Sequence, residues 1–147
     1  MQRSWKTFLV PALLGATALV ACHGPRGGFG NMTEAEVAER MTDVAEFGLD
    51  AVDADDQQVE RVNGLLTGAA PDVVRFRAEH KALAAELRAE LAKDTVDRDR
   101  IEALRKRALD LFDRASQKGS ETLVAVADVL TPAQRKELTY KWEKHQH

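Results

Sequence analysis

The sequence predicts an all-α protein, an elongated hairpin or bundle of four to five helices. Three observations carry this. Ala, Leu, Glu, Lys and Arg dominate, and charged residues make up 31% of the chain, a composition suited to solvated helices. Apolar residues recur three and four apart, while the alternation of a half-buried strand is missing. Capping residues and short polar breaks divide the chain into segments of helical length.

Taken in order, Thr33-Glu34-Ala35-Glu36 is a capping box that opens a first helix, with Val37, Met41, Val44 and Ala45 or Gly48 on its apolar face. Asp53 is expected to open a second, carrying Val59, Val62, Leu65, Leu66 and Ala69, and Gly68 with Pro71 to end it. A third is expected from about Asp72 to Lys93, with Val73, Phe76, His80, Leu83, Leu87 and Leu91 on one stripe. Asp94 to Asp97 is a polar break. A fourth helix then presents Ile101, Leu104, Ala108, Leu111 and Ala115, and can run on through Gly119 and Ser120, with room for a bend, to Val129. The last begins at Pro132. Stripes this narrow bury little in isolation, so self-association is expected.

The N-terminus bears on location. Arg3 and Lys6 precede an uncharged, mostly apolar run of 14 residues from Phe8 to Ala21. That is too short for a stable bilayer span and suits a signal peptide, residues 1–21. The run ends in Leu19-Val20-Ala21-Cys22, which resembles a bacterial lipobox. The expectation is cleavage before Cys22, lipidation of its thiol and stable anchoring by two or more acyl chains. His23 rather than Asp after the cysteine favours the outer membrane by the lipoprotein sorting rule. Cys22 is the single cysteine, so no intramolecular disulfide is possible. Residues 22–31 are rich in glycine and read as a flexible tether to a helical domain of residues 32–147.

Leu130-Thr131-Pro132-Ala133-Gln134 is the sharpest motif. The Thr131 hydroxyl can cap a helix, Pro132 falls at the first helical position, where its missing N–H costs nothing, and Gln134 can reach back to the cap. Val52-Asp53-Ala54-Asp55-Asp56 reads as a degenerate second copy, with Asp53 as cap and Asp56 in the return position. A structural role at helix starts is assigned to Val52, Asp53, Asp56, Leu130, Thr131 and Gln134.

These residues resemble the LTxxQ signature of the Spy/CpxP family of small periplasmic proteins. Residues 125–147 look like the C-terminal helix of that family, and residues 91–116 fit its long third helix in pattern. The resemblance implies an antiparallel, cradle-shaped homodimer acting as an ATP-independent chaperone or envelope-stress protein. Its partners would be unfolded or misfolded envelope proteins.

Charge is unevenly placed. From Asn31 to Pro71 ten acidic residues face two basic ones, whereas Asp72 to Lys118 holds twelve basic and ten acidic. One expectation is a basic surface from Arg75, Arg77, Lys81, Arg88, Arg105, Arg107 and Arg114 that attracts acidic clients. The other is solvated faces laced by pairs such as Glu102–Lys106. The candidate client-binding residues are Val73, Phe76, Arg77, Lys81, Arg105 and Leu109.

No nucleophile elbow, phosphate loop or His-Glu-x-x-His is present, so neither an enzyme nor a cofactor is expected. An acidic secreted chain offers no footprint for nucleic acid. The four histidines are His23, His80, His145 and His147. His145 and His147 could chelate a metal weakly, and His80 is expected to be a half-buried packing residue rather than a ligand. The alternative function is a metal-sensing or regulatory module acting on a sensor kinase or anti-sigma factor. A further one is a structural lipoprotein with no client.

Overall fold

A computed structural model describes residues 32–146. Four helices follow one another: α1 (Glu34–Asp50), α2 (Asp56–Leu91), α3 (Arg98–Val129) and α4 (Pro132–Gln146). The expected signal peptide, Cys22, His23, the expected tether and His147 lie outside the described residues, and of His145 only its place in α4 is described.

The first helix starts as its sequence dictates. The Thr33 hydroxyl accepts from the Glu36 N–H at 3.3 Å, and the Glu36 carboxylate accepts from the Thr33 N–H at 2.7 Å. Two orphan donors are thus satisfied at once. These bonds to Thr33 hold the Glu36 carboxyl below its usual range.

The second helix corrects two expectations. Its cap is Asp55, not Asp53, and the return residue is Gln58, not Asp56. Asp53 instead adopts a left-handed conformation, φ 50°, in the tight turn after α1, a region that Asp tolerates better than most residues. That turn tucks Val52 into the core at 3% exposure, so the chain cannot be helical until Asp55. The helix also runs straight through Gly68 and Pro71 for 36 residues. Pro71 removes one hydrogen bond, to the carbonyl of Thr67, and both residues are exposed. On the inward side Val62, Ala69, Ala70 and Phe76 are buried in one continuous stripe, and that packing overrides the local breakers. The expected second and third helices are therefore one.

The two long helices pair antiparallel. Rungs of charge fix the register: Asp72–Lys118 at 3.6 Å, Glu79–Arg114 at 2.7 Å and Glu86–Arg107 at 2.7 Å. At the turn Glu90, 4% exposed, accepts from the Asp97 N–H at 3.1 Å and pairs with Lys93 at 2.6 Å. A buried carboxylate thus closes the hairpin, and these partners hold its pKa down, Lys93 first.

The core is split. At the base, Leu49, Val62, Val129 and Leu130 form one cluster, with Ala45, Val59, Leu66, Val126 and Leu138 against it. Further along, Phe76, Leu111 and Ala115 form a second, with Leu83 beside it. α1 and α4 contribute to the first cluster and not to the second. The described residues form a two-helix hairpin with a four-helix base.

Candidate functional site

The base is fastened by its two helix starts. At α4 the Thr131 hydroxyl accepts from the Gln134 N–H at 3.2 Å, and Gln134 Oε1 accepts from the Thr131 N–H at 2.9 Å. At α2, Asp55 and Gln58 exchange the same bonds at 2.8 and 3.1 Å. The two boxes then join. Gln58 Nε2 donates to Gln134 Oε1 at 2.9 Å, and Gln134 Nε2 donates to Gln58 Oε1 at 2.9 Å. Gln58 Nε2 also reaches the Val129 carbonyl at 2.9 Å. Each glutamine satisfies its own cap with its oxygen and crosses to the other start with its amide. A carboxylate at either position could not donate that bond. The second motif is thus Ala54-Asp55-Asp56-Gln57-Gln58, displaced two residues from the expected copy.

Cations from α4 complete the junction. Arg135 Nη1 donates to the carbonyls of Ala127 and Leu130, at 2.9 and 2.5 Å, at the C-terminal end of α3. Lys141 Nζ reaches the Ala51 carbonyl at the end of α1. Positive charge at both helix C-termini complements their dipoles.

The hairpin beyond the base carries an open groove of about 450 Å³ between α2 and α3. Leu83, Leu87, Ile101, Leu104, Ala108 and Phe112 line most of it, with His80 and Arg105 at its polar edge. Leu87 is 39% and Phe112 47% exposed, and Leu109 and Leu91 stand out nearby. Two helices alone cannot cover the stripes that both present, so apolar surface is left in contact with water.

The expected client residues are dispersed. Among them, only Arg105 lines the groove. Phe76 is buried at 7% exposure against Leu111 and Ala115, with Arg75 and Arg114 over its ring at 5.1 and 5.8 Å. It is a core residue, because α3 covers this face of α2. Val73 and Arg77 are half-buried, while Lys81 and Leu109 are exposed away from the lining. His80 is exposed, not half-buried as expected, because among the described residues no third helix packs over its face. Of the missed lining residues, Leu83, Leu87, Ile101, Leu104, Ala108 and Leu111 sit on the predicted apolar stripes, and Ala84 and Phe112 lie beside them. What the sequence lacks is any sign that no partner helix covers them here.

The expected basic surface is largely paired. Arg114 binds Glu79 and Asp110, Arg107 binds Glu86, Arg105 binds Glu102 through two nitrogens, and Arg75 binds Asp72. Arg107 holds the Glu86 carboxyl below its usual range, Arg114 does so for Glu79 and Arg105 for Glu102. Among the described residues no group of three or more His, Cys, Asp or Glu is placed to hold a metal ion. No helix among them is long and apolar enough to cross a membrane.

Comparison with known proteins agrees with the helical, double-motif architecture. The model of the heavy-metal resistance family matches residues 7–137, nearly the whole chain. No curated protein and no solved structure matches it. The capping motif, its cross-bonded partner and this match lead to one assignment: the chain belongs to the heavy-metal resistance family, Spy/CpxP-like helical proteins of the periplasm that serve metal resistance and envelope stress.

Proposed function

We propose that the chain is an ATP-independent chaperone of the cell envelope, tethered by lipid on Cys22 and working as a homodimer. Non-native clients would lie in the α2–α3 groove. The observation that supports this is the open apolar lining from Leu83 to Phe112, placed on a hairpin that no third helix among the described residues covers. Exposed leucine and phenylalanine side chains bind unfolded segments through the hydrophobic effect, at about 25 cal/mol per Å² removed from water. An open, shallow groove keeps that gain small per client and lets clients leave to fold.

The test is light scattering of an aggregating client, with chain that carries Cys22→Ser and lacks residues 1–21, in chelator and without nucleotide. Suppression that saturates near one dimer per client is expected. Phe112→Ser with Leu87→Ser should abolish it while leaving helix content intact. No suppression at equimolar protein overturns the proposal.

The family's description favours a second reading, a metal-responsive regulator acting on a signalling partner such as a sensor kinase or anti-sigma factor. Stoichiometric metal binding that changes the circular dichroism spectrum would support it.

A further inference from the structure

We propose that the hairpin arm, residues 72–118, bends as a unit about a root built into both long helices. On α2 the root is Gly68 and Pro71, and on α3 it is Gly119. The Asp72–Lys118 pair at 3.6 Å sets these positions at the same level.

Three observations converge there. First, the glycine is not required by packing. A Cβ at Gly68 or at Gly64 would meet nothing within 4 Å. Each nonetheless weakens a helix interior by about 1 kcal/mol relative to alanine. Pro71, three residues on, leaves the Thr67 carbonyl without its helical donor and exposes it to water. Gly64, Gly68 and Pro71 fall four and three apart, so the weakened backbone lies along one exposed line of α2.

Second, the two core clusters are separate, and between them only the small side chains of Ala69 and Ala70 are buried on α2. Val62, Leu66, Val126 and Val129 belong to the basal cluster, and Phe76, Leu111 and Ala115 to that of the arm. Bending here disturbs neither cluster.

Third, the support from α1 ends here. The Asn63–Glu46 hydrogen bond, 3.1 Å, sets the antiparallel register of α1 on α2. Counting from it places the first turn of α1 level with about residues 72–75 of α2. Beyond that point the described residues are two helices wide, an arm of about 30 Å at 1.5 Å per residue. The basal clasp and the groove thus lie on opposite sides of the root. Bending re-aims the groove relative to the base while the Glu79, Glu86 and Glu90 contacts within the arm stay intact.

The inference requires no client, and its test contains none. Spin labels are placed through cysteines at Asp43 on the base and Ala92 at the arm tip, in chain carrying Cys22→Ser. Pulsed electron resonance then reads their distance distribution. The parent is expected to give a broad distribution, which narrows to the width of the labels themselves in the Gly68→Ala, Pro71→Ala, Gly119→Ala variant. These changes restore helix propensity and one hydrogen bond, so the variant is not at risk of unfolding. Because Gly119 is half-buried, the Gly68→Ala, Pro71→Ala variant is measured beside it.

Hydrogen exchange supplies an independent reading. In the parent, amides at residues 72–75 and 119–122 should exchange about tenfold faster than those two turns away on either side. In the variant the difference should vanish. Equal widths in parent and variant, or uniform exchange along both helices, would overturn the proposal.

Discussion

Replacing Gln134 by alanine tests how the base is fastened. The substitution removes the return bond to the Thr131 N–H at 2.9 Å, the two amide bonds exchanged with Gln58, also at 2.9 Å, and two longer ones from Nε2 to the Val52 and Asp53 carbonyls at 3.4 and 3.5 Å. Gln58 keeps a partner on each atom, the Val129 carbonyl for its amide and the Asp55 N–H for its oxygen. No full desolvation penalty is therefore left on Gln58. At about 0.5–1.5 kcal/mol net per bond, the loss comes to roughly 2–3 kcal/mol. For a domain of this size that lowers the thermal midpoint by roughly 8–12 °C. Trp142 in α4 is the one tryptophan besides Trp5, so in chain lacking residues 1–21 its fluorescence reports the junction and far-ultraviolet circular dichroism reports the whole. Gln58→Ala and the double variant close a cycle, in which a coupling of roughly 1–2 kcal/mol is expected. Additivity within about 0.5 kcal/mol would refute the amide exchange. Gln134→Glu keeps the acceptor for Thr131 and loses only the donor, so it should cost less than alanine does.

Other consequences are equally direct. Thr131→Ala removes the α4 cap and should cost about 1 kcal/mol, seen as a lower thermal midpoint. Gly64→Ala meets nothing in an exposed helix interior and should raise the midpoint by up to about 1 kcal/mol of stability; a lower midpoint would contradict the open space seen there. The carboxyls of Glu79, Glu86 and Glu102 are all held below the ordinary value of 4.5 by arginine partners. A depressed folded pKa gives stability that is whole above the unfolded value and is lost as pH falls through the folded one. Acid titration should therefore loosen the hairpin below about pH 4.5, and Glu86→Gln should flatten that loss; a stability rising with acid would reverse the sign.

Much of the architecture is legible in the residues. The 3.6-residue periodicity gives the helices, and the boxes at Thr33 and Thr131 give two of the starts. What misleads is local punctuation. Pro71 and Gly68 read as a stop, yet a stop is a matter of about 3 and 1 kcal/mol. Burial of Val62, Ala69, Ala70 and Phe76 along the same face outweighs both. The motif register fails for a different reason. Asp53 and Asp55 are equally good caps in isolation, and the choice between them is made by Gln134, 79 residues beyond Asp55 in the chain. The docking of α4 is hidden in the same way. It rests on Gln134, Arg135 and Lys141 meeting backbone carbonyls, with Leu138 as its apolar anchor. No hydrophobic stripe announces such contacts.

Charge in the arm is where composition and structure part most clearly, and it determines how client capture should respond to salt. Twelve basic residues between Asp72 and Lys118 suggest a cationic face. Yet Arg75, Arg105, Arg107, Arg114 and Lys118 each stand within 4 Å of a carboxylate. Paired charges at that range have fields that largely cancel beyond about 8–10 Å, the screening length at physiological salt. They give little long-range attraction to an acidic client and mostly set hairpin register. Capture should then depend on the groove, where burial of Leu87 and Phe112 is insensitive to added salt. Raising sodium chloride from about 50 to 300 mM should leave the apparent affinity for an unfolded acidic client within about twofold, since screening acts on exposed charge alone. A tenfold loss over that range would mean that arginines leave their carboxylates to meet the client. The lowered pKa values of Glu79, Glu86 and Glu102 would then rise on binding, and protons would be taken up from solution. Measuring affinity at pH 4.5 and 7 alongside the salt series separates the two, because proton uptake accompanies broken ion pairs and does not accompany apolar burial.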